Sequence, residues 1–177
     1  MSLPLDVVRS PLQAVVGEIE LHVDEQGWDQ PTRLFALVPT EDLLRSEPTL
    51  AQTMGLLAGD PASLTPVEQE LSGEGPLDDQ LAAMLFGDQV LGVVVAQEVV
   101  VLPPSAEAAL QEVDDLSTVA HDHPGRRDVR MVVGVVRGGE RACLLRLRGG
   151  EPSDDERVTG PDLAPNLAGA LLATLED

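Results

Sequence analysis

The run VRMVVGVVRGGERACLLRLR, Val129–Arg148, carries two β-rich segments on either side of Gly138-Gly139. A two-residue turn between antiparallel strands needs φ > 0 at both positions, which glycine adopts without steric penalty. A Gly-Gly turn sets Arg137 opposite Glu140, Val135 opposite Ala142, Val133 opposite Leu144 and Met131 opposite Arg146. The other face pairs Val136 with Arg141, Gly134 with Cys143, Val132 with Leu145 and Arg130 with Leu147. Side chains alternate across a strand, so a half-exposed hairpin shows one polar face. Here both faces are apolar in the middle and the arginines gather towards the ends. That pattern predicts a central strand pair in a sheet covered on both sides.

Working outward, VLGVVVAQEVVVL (Val90–Leu102) is long for one strand and predicts a bulge near Gly92 or Gln97-Glu98. Arg33–Val38 is a shorter apolar strand. Ser10-Pro11-Leu12-Gln13 has the form of a capping box with proline in the first turn. Leu12, Val15, Val16, Ile19 and Val23 then form an apolar stripe as far as Gly27, with Glu18, Asp24 and Glu25 opposite. Thr40 is expected to cap a second helix of about ten residues, with Glu41 and Asp42 at its positive end. Thr65-Pro66-Val67-Glu68 reads as another capping box and a helical turn. Further helices are expected over Pro76–Phe86, in part of Ser105–Ala120, and after Asp162, with Gly149–Arg157 an acidic loop. The whole predicts one α+β domain over residues 1–177: a mainly antiparallel or mixed sheet of four to five strands with helices packed on both faces.

At 177 residues and 43% hydrophobic the chain can bury a core despite a net charge of −20. Every basic residue is arginine, and residues 1–125, 126–148 and 149–177 carry −19, +5 and −6. An acidic body repels phosphate backbones, and with no Tyr, one Trp and two Phe there are few rings on which bases stack, so no nucleic-acid partner is expected. No apolar run reaches the ~18–20 residues of a membrane helix, and no signal-peptide pattern opens the chain. A cytoplasmic location without membrane association follows as the expectation.

Candidate chemistry is sparse. His121-Asp122-His123 offers two imidazoles and a carboxylate but matches no standard metal spacing, so His121 and His123 are weak candidates and no metal or cofactor is expected. Cys143 lies mid-strand among leucines, where a structural thiol is the plain reading and a nucleophile the sharper one. Glu98 is the one acid inside the long apolar strand; either it occupies an exposed or bulged position, or it points inward and pairs with Arg130 or Arg146. Adjacent carboxylates such as Asp78-Asp79 do not face each other on a helix and read as solvated surface. Leu145–Gly150 reads LRLRGG, the tail of ubiquitin, but conjugation needs a terminal glycine carboxylate and this chain continues to Asp177.

Gly27-Trp28-Asp29-Gln30-Pro31, Leu64-Thr65-Pro66-Val67-Glu68-Gln69-Glu70, Leu102-Pro103-Pro104-Ser105 and Thr159-Gly160-Pro161-Asp162-Leu163 together resemble a family of conserved hypothetical actinobacterial proteins. The resemblance spans nearly the whole chain. It implies a bacterial cytosolic protein and contributes no site. Two expectations for function follow. One is a non-enzymatic interaction or adaptor protein, chaperone-like, that binds a basic or partly unfolded protein partner or forms a homodimer. The other is a binder or enzyme of a small anionic ligand, with Trp28, Glu98, Arg130 and Arg146 around the arginine ends of the hairpin.

Overall fold

The computed structural model describes residues 10–53, 63–71, 75–101, 127–148, 156–160 and 163–175. In chain order the elements are α1 (Pro11–Asp24), β1 (Arg33–Pro39), α2 (Thr40–Ser46), α3 (Pro48–Thr53), β2 (Leu64–Gln69), α4 (Leu77–Ala82), β3 (Gly92–Val101), β4 (Arg127–Val136), β5 (Arg141–Leu147), β6 (Glu156–Gly160) and α5 (Pro165–Ala173). The strands form one six-stranded sheet in the order β2-β1-β3-β4-β5-β6, every pair antiparallel. The architecture is α+β, with six strands where the sequence predicts four to five, and the two edge strands β2 and β6 are those at which no strand is predicted.

Both extra strands carried misleading local signals. Thr65-Pro66-Val67-Glu68 lies in β2 and forms no helical turn. Proline lacks the N–H of an inner ladder, which an edge strand tolerates. Glu156–Gly160, expected to begin inside an acidic loop, pairs with β5 as the other edge.

Helix α1 forms as its ends dictate: the Ser10 hydroxyl accepts from Gln13 N–H, and the Gln13 side chain accepts from Ser10 N–H. Thr40 is not a cap. It is the first residue of α2, and its hydroxyl is drawn to Thr65 Oγ1 at 2.8 Å, bridging that helix start to β2. Helix α2 spans seven residues before Pro48 opens α3. Strand β3 pairs with β4 over its whole length in unbroken register, so the predicted bulge is absent. Ser105–Ala120 and Asp162 lie outside the described residues.

The central hairpin forms, but one residue out of the expected register. Arg137, Gly138 and Gly139 make a three-residue loop, both glycines at φ +101°, closed by Gly139 N–H to Val136 O at 3.0 Å and Val136 N–H to Glu140 O at 3.1 Å. Arg130 therefore faces Arg146, Val132 faces Leu144, and Val133 faces Cys143. The two-residue turn would have placed Arg146 on the opposite face from Arg130, among apolar side chains and away from any carboxylate. An unpaired buried charge costs more than a change of turn type, so the longer loop wins.

The sheet has a core on each side. On one face α1 lays Leu12, Val15, Val16, Ile19 and Val23 onto Phe35, Val94, Val132 and Leu144. On the other, α4 and α5 bring Leu81, Ala168, Leu171 and Leu175 against Val93, Val95, Val133 and Cys143. Burying each such Leu or Val side chain contributes about 1.5–3 kcal/mol. Arg137 fastens the second layer at the hairpin tip: its guanidinium donates to the carbonyls of Val90, Phe86, Gly87 and Leu175. The last of these lies just beyond α5.

Candidate functional site

Register determines the site. Glu98 on β3 lies opposite Arg130 on β4, Arg130 opposite Arg146 on β5, and Arg146 opposite Arg157 on β6. Four charged side chains thus form one row across the sheet, on the face that α1 covers. Arg130 and Arg146, two buried arginines side by side with the more exposed Arg157 next to them, need counter-charges. Helix α1 supplies them from Glu20 and Asp24, one turn apart and both turned to the sheet.

Glu20 is fully buried and is the hub. Arg146 grips it with both prongs of the guanidinium, Nε to Oε2 at 2.6 Å and a terminal nitrogen to Oε1 at 2.7 Å. Arg157 reaches the same carboxylate through Nε at 3.3 Å, and Arg130 stands 3.8 Å away. Arg130, also fully buried, donates to Asp24 at 3.0 Å and to the Gly27 carbonyl, and lies 3.5 Å from Glu98. Such charge-assisted, bidentate bonds are the strong class of protein hydrogen bond. Arg130 Nε has no hydrogen-bond partner among the described residues.

The row also shapes the loop after α1. Glu98 accepts from the backbone N–H groups of Asp29 at 2.8 Å and Gln30 at 3.1 Å. Gln30 returns its amide to the carbonyls of Val23 and Gly27. Asp29 is held at φ +67°, a left-handed conformation that a local hydrogen-bonding framework can sustain in aspartate. Trp28 meets two cations, its ring centroid 4.5 Å from the Arg130 guanidinium carbon and 5.3 Å from that of Arg148.

The four residues singled out from sequence, Trp28, Glu98, Arg130 and Arg146, therefore do come together. They come together around internal carboxylates. Glu98 takes the inward of its two readings, 18% exposed in its side chain and paired with Arg130. Sequence reasoning passed over Glu20 and put Asp24 on the solvent face, although Val16, Glu20 and Asp24 follow one another at i, i+4 and i+8 along the edge of the apolar stripe. Cys143 is buried in the layer under α5. His121 and His123 lie outside the described residues, among which no three metal-ligating side chains form a group. No helix among the described residues is long and apolar enough to cross a membrane.

One concavity adjoins the row. Between α1 and the outer strands β5 and β6 runs an open groove of about 590 Å³. Val16, Ala142 and Leu144 give it apolar surface, Gln13 and Thr159 hydrogen-bonding groups, and Arg157 a positive charge.

Fold and site together define a class: an antiparallel α+β sheet protein whose first helix is bound to the sheet by a buried arginine–carboxylate row. Residues 12–176 match the model of the PPA1309-like protein family, and the chain belongs to that family. No curated protein and no solved structure matches it.

Proposed function

We propose that this is a non-enzymatic cytosolic interaction protein that receives a basic, amphipathic segment of a protein partner. The observation that carries the reading is the direction of the charges. Arg130 and Arg146 are turned inward onto carboxylates, and Arg137 onto backbone carbonyls. The carboxylates of Glu18 on α1 and Glu25 at its C-terminal cap, Glu41 and Asp42 on α2, and Asp78 and Asp79 on α4 are exposed. A chain of net charge −20 that keeps these cations inside presents a negative exterior, which steers cationic partners and raises their association rate. Leu21, 52% exposed on α1, lies between Glu18 and Glu25 and adds an apolar contact within that field.

The test is a titration, by fluorescence anisotropy, of a labelled Arg/Leu amphipathic peptide and its Glu/Leu counterpart. The arginine peptide binds, weakens as salt rises, and weakens at least about fivefold against an E18Q/L21S/E25Q variant. Equal affinity for the two peptides, or indifference to the triple variant, overturns the reading.

A further inference from the structure

We propose that the groove between α1 and β5–β6 is a binding site for a small carboxylate with an apolar body, which Arg157 recognises and Glu20 helps to position. This site stands apart from the acidic exterior invoked above: its recognising group is the Arg157 cation and its ligand an anion. The groove volume, about 590 Å³, falls within the range of small-molecule sites. Its chemistry is divided in the way an amphipathic anion requires. Val16, Ala142 and Leu144 form an apolar floor, while Arg157 and Thr159 stand on the neighbouring edge strand.

The guanidinium of Arg157 is oriented from behind. Among the described residues it engages Glu20 alone, through Nε at 3.3 Å, and its side chain is 41% exposed. Glu20 is itself immobilised by the bidentate grip of Arg146. A fork tethered by Nε leaves its terminal N–H groups for a second planar acceptor, and a carboxylate matches two parallel N–H donors. Ordering a long arginine side chain in advance lowers the entropic cost of binding. Phosphate would meet the charge but leave the apolar floor uncovered, so a carboxylate with a hydrocarbon tail is the better fit.

The experiment is an NMR titration of the full chain with octanoate, octanamide and inorganic phosphate, following backbone amides. Octanoate is expected to shift the amides of Ala142, Leu144, Thr159 and Gly160 saturably. Octanamide, the same shape without the charge, binds at least about tenfold more weakly. R157Q lowers octanoate affinity by a similar factor and leaves octanamide unaffected, whereas R157K, which keeps the charge and loses the fork, falls between. T159W fills the groove from an exposed position and abolishes binding with Arg157 still present. Thermal melts of R157Q and T159W at the wild-type temperature establish that the fold is intact. Equal binding of octanoate and octanamide, octanoate affinity unchanged in R157Q, or shifts confined to another surface each overturn the proposal. Arginine-peptide binding that persists in R157Q shows that the two sites are separate, so either can fail without the other.

Discussion

The two faces of the sheet are covered by different physics. Under α4 and α5 the contact is apolar, with Val133, Val135, Leu171 and Leu175 closing against one another. Under α1 the apolar stripe gives way at one end to the row Glu98–Arg130–Arg146–Arg157 and its partners Glu20 and Asp24. Apolar packing is tolerant of direction, because any side chain of suitable volume gains from burial. A buried charge network is not: its buried members Glu20, Arg130 and Arg146 depend on their partners, and removing one costs more than the set contributes. Arg157 stands at the exposed end. Both faces thus gain stability from apolar burial, and the α1 face in addition specifies how helix and sheet are docked.

The strongest way to break that contrast is Glu20→Ala. It strips Arg146, Arg130 and Arg157 of a shared counter-charge and is expected to lower unfolding free energy by about 3–5 kcal/mol in urea denaturation. An E20M/R146M pair, which removes charge and counter-charge together, is expected to recover most of that loss. A double variant as unstable as E20A would mean that the row contributes net stability beyond mutual compensation.

Leu171→Ala on the other face opens a cavity at a fully buried position and is expected to cost about 2–5 kcal/mol. Its effect should be nearly independent of salt. A strong salt dependence would show that the two faces are not the distinct kinds of contact described here.

Gly134→Ala probes how closely α1 approaches. A Cβ there would come 2.7 Å from Val16 Cγ2 and 3.0 Å from Leu12 Cδ1, so those side chains must repack or the helix shift. The expected cost is about 1–3 kcal/mol. Broadened or shifted amide resonances over Gly27–Pro31 should accompany it, because the charged row and that loop hang from the same helix. An effect confined to the mutated turn would separate the apolar and charged halves of the α1 contact.

The smallest effect belongs to the surface pair Arg33–Glu68, 2.8 Å apart and 48% exposed on the acid. The hydrogen bond from Arg33 holds the Glu68 carboxyl below its ordinary value of 4.5. A carboxyl whose pKa is lower folded than unfolded stabilises the fold above its unfolded pKa, and that contribution is lost as pH falls through the folded value. Glu68→Gln should therefore cost under about 1 kcal/mol at pH 7 and nothing at pH 2, measured as the difference in melting temperature between variant and wild type. A cost as large as that of E20A would erase the distinction between surface and buried ion pairs.

Much of the fold was legible because its signals are local. Ser10 to Gln13 capped α1 as read, and the apolar faces around Gly138-Gly139 marked β4 and β5 as inner strands, although β3 and β4 are the central pair. The edge strands were not legible: Pro66 after Thr65 imitates a helix start, and Glu156–Gly160 is five residues beside an acidic run. The site was half legible. An acid inside an apolar strand marked Glu98, and the hairpin's arginines marked Arg130 and Arg146. Glu20 went unread because a single acid on a helix normally faces water, and nothing near it in sequence requires otherwise.

By itself the sequence determined the capped amphipathic helix, the β4–β5 hairpin, the α+β class and the large excess of negative charge. These rest on caps, periodicity, turn chemistry and composition, each contained within a few residues or in a count. Only the tertiary structure decided the hairpin's register, and with it which arginines share a face and which carboxylates meet them. That choice joins side chains from α1, β3, β4, β5 and β6. A buried charge finds its lowest free energy only where separate elements deliver its partners together.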